Sequence, residues 1–222
     1  MESSIANTIE RTTQGLIDQS LPKAMSYNTY RELVTQLAQE GKSTGPQKTN
    51  ALTNYTQLNN RRMKRWDKTL KFDEQVIDLI KSVELPITWL VLTESWCGDA
   101  SPALPVMNKM AQLNANIDLK ILLRDENPEL MSRFPTKGAM SIPKMITIDN
   151  ESEEVVAEWG PRPEPAAELV RAHKAKYGKI LPEIKEEIQQ WYNKDKGQTT
   201  LKELLASLPL KYIGNSALLG SS

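Results

Sequence analysis

Cys97 is the residue of this chain best placed to do chemistry. It stands in the run Ile87-Thr-Trp-Leu-Val-Leu-Thr-Glu-Ser-Trp-Cys-Gly-Asp-Ala-Ser-Pro-Ala-Leu-Pro105. A thiolate is a strong nucleophile, and a cysteine becomes reactive where its surroundings favour that anion. The nearly unbroken apolar run from Ile87 to Leu92 predicts a strand buried on both faces. After Trp96-Cys97-Gly98-Asp99, the spacing of Ala103, Leu104, Val106, Met107 and Met110 predicts a helix. Cys97 is therefore expected where a buried strand hands over to a helix N-terminus, among backbone N–H groups that lack partners. Two readings fit it, an exposed nucleophile or an inert buried thiol, and its place at this junction favours exposure.

The local electrostatics pull in two directions. A helix N-terminus stabilises a neighbouring anion by about 0.3–1 kcal/mol, or up to about 2 when partly buried. Asp99 opposes this, since two charges about 6 Å apart repel by roughly 0.7–2.8 kcal/mol for an effective dielectric between about 80 and 20. A strongly depressed thiol pKa does not follow from these terms. Asp99 capping the helix's own N–H groups would soften the repulsion.

The elements that must hold this junction can be read on either side of it. Residues Met1 to about Leu21 are weakly patterned and are expected to form a loose helical arm. Ser26 is expected to cap a helix bearing Tyr30, Leu33, Val34 and Leu37, stopped by Gly41. Gly41 to Pro46 reads as a loop. A longer helix follows, with Leu52, Tyr55, Leu58, Met63, Trp66 and Leu70 near one stripe. Its cations, Arg61, Arg62, Lys64, Arg65, Lys68 and Lys71, read as a solvated face in preference to a phosphate or RNA contact.

Asp73 opens a short helix (Val76, Ile77, Ile80, Val83) that Pro86 ends. After the central strand and helix, Ile117 to Leu123 is a second apolar run suited to a parallel strand. Asn127-Pro128 opens a short helix. Lys144 to Ile148 and Val155 to Trp159 flank a turn and are expected to form an antiparallel hairpin. Helices are expected from about Pro165 to Tyr177, from Pro182 to Lys194 and from Leu201 to Leu208, with a loose tail from Gly214. The fold class is thus α/β, a mixed sheet with helices on both faces.

Composition narrows the function. Across 222 residues, 39% hydrophobic and 25% charged, the chain is ordinary globular material. Twenty-eight basic residues balance twenty-eight acidic ones, which argues against nucleic acid as a partner. No apolar run reaches the roughly 18–20 residues that cross a bilayer, so no membrane association is expected. The N-terminus has neither a basic nor an apolar signal region, and the single cysteine excludes an internal disulfide; together these point to the cytosol. One cysteine and one histidine, His173, cannot form a protein-only zinc site, and no Gly-rich phosphate loop is present. No cofactor is expected, and His173 reads as a surface or packing residue.

The residues of the central region resemble the thioredoxin superfamily. Trp96-Cys97-Gly98-Asp99-Ala100 stands where thioredoxins carry Trp-Cys-Gly-Pro-Cys. Pro105 matches the proline that kinks the active-site helix in that family. Asp125, Asn127 and Pro128 look like the segment after its next strand, and Gly138 to Pro143 looks like the stretch ending in its cis-proline. Gly160 falls where a glycine follows the hairpin. The resemblance implies a thioredoxin-like domain over 73–178, an N-terminal helical extension over 1–72, and a C-terminal helical extension and tail over 179–222. Trp-Cys-Gly-Asp, Tyr55 to Trp66 and Gly160-Pro-Arg-Pro163 further resemble thioredoxin-like proteins with helical additions on both sides.

Two departures bear on activity. Ala100 replaces the resolving cysteine, and Val91 replaces the buried acid six residues before the nucleophile. What remains is monothiol chemistry: Cys97 as nucleophile, a mixed disulfide with a low-molecular-weight thiol or a protein disulfide client, and release by an external thiol. Trp96, Gly98 and Asp99 are expected to frame the sulfur, Trp96 as an apolar rim or as plain packing. A cis bond at Pro143 would leave the Ile142 backbone free to pair with an extended substrate, whereas a trans proline would simply start a strand. The rival reading is a non-catalytic module that keeps the groove beside Pro143 for a peptide or protein partner.

Overall fold

The central strand β1, Ile87–Thr93, is buried along its whole length. A computed structural model describes residues 12–208, and within it β1 pairs in parallel with β2, Ile117–Leu123, from Ile87 opposite Ile117 to Thr93 opposite Leu123. Its other edge pairs antiparallel with β3, Lys144–Asp149, which in turn pairs antiparallel with β4, Val155–Trp159. The resulting order, β2-β1-β3-β4, is the mixed thioredoxin-like sheet that the element pattern implied. Trp89, Leu90, Val91 and Leu92 are wholly shielded, and side chains of this size contribute about 1.5–3 kcal/mol each on burial. Met25 exchanges two 2.8 Å backbone hydrogen bonds with Ile121, which blunts the outer edge of β2.

Nine helices are described around this sheet. In order they are Thr13–Ser20 (α1), Tyr27–Gln39 (α2), Asn50–Thr69 (α3), Glu74–Lys81 (α4), Ala100–Leu113 (α5), Pro128–Ser132 (α6), Glu164–Tyr177 (α7), Pro182–Asp195 (α8) and Gln198–Ser207 (α9). Several begin at side chains that satisfy orphan N–H groups. Ser26 accepts from Thr29 N–H at α2, as expected, while Thr12 caps α1 and Thr49 caps α3. Among the described residues, no helix is long and apolar enough to cross a membrane.

Two expectations are corrected by the packing. From Thr13 onward the N-terminal arm is not loose, because Leu16 and Ile17 of α1 lie in the core; the first eleven residues and the tail from Gly214 lie outside the described residues. The buried stripe of α3 is Thr56, Asn59, Met63 and Trp66, while Leu52, Tyr55 and Leu58 are only half-buried. The helix is rotated because Thr56 and Asn59 serve as hydrogen-bonding partners for a buried loop. Side chains from α1, α2, α3, α8 and α9 join those of the sheet in one continuous core.

Gly160 explains its own identity. Its φ is +121°, and a Cβ built there would sit 2.2 Å from the backbone oxygen of Pro143. No side-chain rotation relieves a clash with backbone. Gly160→Ala is therefore expected to destabilise the protein by on the order of 2–4 kcal/mol, read as a lower urea midpoint at unchanged m-value. A midpoint equal to wild type would contradict the close packing of Gly160 on Pro143.

Candidate functional site

The link from β1 to α5 is buried, so its polar groups need partners. Ser95 is the hub. Its hydroxyl accepts from Thr44 N–H at 3.0 Å and lies 2.8 Å from the Thr56 hydroxyl. Its N–H donates to Thr44 Oγ1 at 2.9 Å, and its carbonyl accepts from Asn59 Nδ2 at 3.0 Å. The segment read only as a loop, Gly41 to Pro46, thus clamps the junction from one side and α3 from another. Glu94, wholly buried, accepts from Asp125 N–H at 2.8 Å, and burial pushes its carboxyl above the usual range. The sequence reading passed over it, although a carboxylate directly after a buried strand signals a group that must find donors.

The structure corrects the expected exposure of Cys97. The residue is only 6% exposed, and its thiol donates to the Ile142 carbonyl oxygen at 3.2 Å. The Ile142–Pro143 bond is cis, as the flanking pattern suggested, but the Ile142 carbonyl is occupied by the thiol. Burial, reinforced by the Asp99 charge, pushes the thiol up to about 12. The backbone N–H groups of Ala100 and Asp99 and the charge of Arg162 oppose this shift and are outweighed.

Asp99 occupies the N-cap position of α5, but its side chain makes no capping hydrogen bond. Arg162 donates to its Oδ2 through Nη2 at 2.5 Å and through Nε at 3.1 Å, and the Tyr192 hydroxyl donates to Oδ1 at 3.0 Å. The carboxylate is 13% exposed and its arginine partner 21%, so the pair is largely withdrawn from water. Neither Arg162 nor Tyr192 was singled out from sequence. Each left a trace: an arginine held between two prolines, and a tyrosine on an apolar stripe whose hydroxyl would need a partner. Burial, then the Asp99 charge, holds the Tyr192 phenol well above its ordinary value.

A cavity of about 590 Å³ opens beside the sulfur. Trp96, Cys97, Gly98, Asp99 and Ile142 line it together, whereas Pro143 lies behind Ile142 against Gly160. α3 lines the cavity through Leu52, Tyr55, Leu58 and Arg62, and α8 lines it through Lys185, Ile188 and Gln189. Gln189 on α8 donates to the Gly98 carbonyl at 3.4 Å. Trp96 also borders a second cavity of about 290 Å³, where the Arg124 guanidinium lies 5.0 Å from its ring centre. His173 stands apart on α7, accepting from Leu181 N–H at 3.3 Å.

Comparisons with known proteins agree with this architecture. The crystal structure of a Pseudomonas aeruginosa protein of unknown function is similar at a TM-score of 0.51 and 18% identity, over 67% of this chain and 82% of that one. The crystal structure of an HIV epitope scaffold is similar at a TM-score of 0.52 and 16% identity, over 82% of this chain and 96% of that one. At these identities the likeness speaks for the fold alone. A search of curated proteins found no match. The family model described as thioredoxin matches residues 45–177, more than half of the chain, from α3 to the end of α7. The chain belongs to the thioredoxin family.

Proposed function

We propose that this protein is a non-catalytic thioredoxin-fold binding module that holds a ligand in the cavity over Cys97. The observation that carries the reading is the state of the thiol, which is buried and hydrogen-bonded as a donor to Ile142. Burial and the Asp99 charge both disfavour the thiolate, which is therefore scarcer at neutral pH than in an ordinary cysteine. Ala100 offers no second thiol to complete a redox cycle. In this reading the thioredoxin-like domain, 73–178, carries the site, and the helical extensions on its two sides, 1–72 and 179–222, contribute to the cavity wall through Leu52, Tyr55, Leu58 and Arg62 and through Ile180, Ile188 and Gln189. A cytosolic setting, inferred from the cysteine count, belongs to the same proposal.

Monothiol exchange is the second reading, favoured by the two N–H groups at the sulfur and by the sulfur's place in the cavity wall. There the Cys97 thiolate attacks a disulfide, one S–S bond forms as another breaks, and a thiolate leaves. An external thiolate then attacks the mixed disulfide and restores Cys97, so that the external thiol is the species oxidised. Either a low-molecular-weight thiol or a protein disulfide client fits this scheme.

Intact-mass kinetics with hydroxyethyl disulfide at pH 7.5 separate the two. The binding reading expects adduct formation at least about a hundredfold slower than for an unstructured cysteine peptide, in line with its scarcer thiolate. A rapid adduct, reversed by excess thiol, would establish exchange. The pH profile tests the cause: alkylation of the folded protein should still climb about tenfold per pH unit at pH 9–10, where a free thiol levels off. Asp99→Asn should raise the rate at fixed pH by at least about threefold, because it removes a negative charge and leaves Arg162 uncompensated beside the sulfur. Identical profiles for the two proteins would remove Asp99 as a control on the thiol.

A further inference from the structure

We propose that the cavity over Cys97 is a site for a small amphipathic anion, an aliphatic chain ending in a carboxylate, with the anionic end paired to Arg62. The proposal rests on the binding reading above and names its ligand class. Arg62 is half-buried in the wall of the cavity, where withdrawal from water disfavours its charge. Among the described residues its hydrogen-bond partner is Asn59 Oδ1 at 3.3 Å, and no carboxylate lies within ion-pair distance of it. Asp99 exerts a pull on it but is already engaged by Arg162 and Tyr192. The neighbouring charges of Arg61 and Arg65 add to the positive potential. A partly desolvated guanidinium with neutral partners only is a group that a carboxylate would satisfy with short, charge-assisted hydrogen bonds.

The rest of the lining fits the other end of such a molecule. Leu52 and Leu58 of α3 face Ile188 of α8, and Ile180 stands at the rim with 51% of its surface exposed. The Cys97 thiol, held protonated, presents a neutral floor. Three of the charged side chains in the lining are basic (Arg62, Arg162, Lys185) and two are acidic (Asp99, Glu186), which leaves an excess of positive charge. Lys185 of α8 lies over the ring of Tyr55 of α3, 5.3 Å from its centre. A volume of about 590 Å³ lies within the roughly 300–1,000 Å³ of small-molecule sites.

Calorimetric titration of the full chain with decanoate, decanol, decyltrimethylammonium and acetate tests this assignment. Decanoate should bind most tightly, and acetate, which lacks the chain, should bind least. Arg62→Gln should weaken decanoate by roughly fivefold or more and leave decanol unchanged, while Arg62→Lys retains most of the affinity. Lys64→Gln alters the net charge equally on the outer face of α3 and should change neither titration. The assignment is overturned if decanol matches decanoate, if none of the ligands binds, if Arg62→Gln has no effect, or if Lys64→Gln reproduces its effect. Should Arg62→Gln misfold, Arg62→Lys matched against decanoate and decyltrimethylammonium decides the same question, since equal affinities for the two would exclude a cationic site. Equal binding of decanol thus refutes the anion assignment while leaving a ligand site, whereas fast disulfide exchange at Cys97 refutes the non-catalytic reading while leaving these titrations intact.

Discussion

Asp99 is the charge on which the arrangement of this site depends. Its carboxylate joins the start of α5 to Arg162 and to Tyr192, which are 63 and 93 positions away along the chain. A carboxylate this far out of water is tolerable only when paired and hydrogen-bonded on both oxygens, and removing a partner leaves an uncompensated charge. The three groups are therefore mutually required. Their bonds hold the Gly160–Pro163 segment and α8 against the mouth of α5, and α8 in that position roofs the cavity. The same charge also discourages ionisation of the neighbouring thiol.

A second set of bonds, centred on Ser95, does for the N-terminal helices what Asp99 does for the C-terminal ones. Thr44, Thr56 and Asn59 satisfy the buried groups of Ser95, and in doing so they determine which side of α3 turns inward. The apolar side chains left over, Leu52, Tyr55 and Leu58, become cavity wall. The extra helices are thus joined to the junction by specific polar contacts as well as by the shared core, and their side chains wall the cavity beside the sulfur. Enclosure explains the chemistry. It removes water from the sulfur, and in a low-dielectric setting the two favourable N–H groups cannot offset the cost of a charge.

Membership in the thioredoxin family accounts for the sheet, the position of Cys97 and the cis bond before Pro143, but a fold of this kind hosts many activities. The functional argument therefore rests on the particular surroundings of one thiol and one arginine. The proposed binding role rests on Ala100 in place of a second thiol and on the donor bond to Ile142, and the proposed ligand class on the neutral partner of Arg62.

Much of the architecture was legible in the residues alone. The strand from Ile87, the parallel run from Ile117, the β3–β4 hairpin, the Ser26 cap and the stop at Gly41 all follow from signals within a few positions of one another, because periodicity, caps and turns are local physics. The placement of Cys97 at a strand–helix junction follows for the same reason. Its exposure does not. Whether the sulfur meets water depends on α8, roughly 90 residues later, and on side chains of α3, about 40 residues earlier, so it is a property of packing. The partner of Asp99 was hidden likewise: a carboxylate at a helix start reads as a cap unless a distant arginine reaches it first. The apolar stripe of α3 was read correctly at Met63, Trp66 and Leu70, which are core, while Leu52, Tyr55 and Leu58 line the cavity, because hydrophobic spacing cannot tell a core from a cavity wall. Composition and spacing determined the elements and the one thiol; only tertiary contacts between distant segments decided that the thiol is buried, bonded to the Ile142 carbonyl and set in the wall of a cavity, since dielectric and ion pairing are set by what comes together in space.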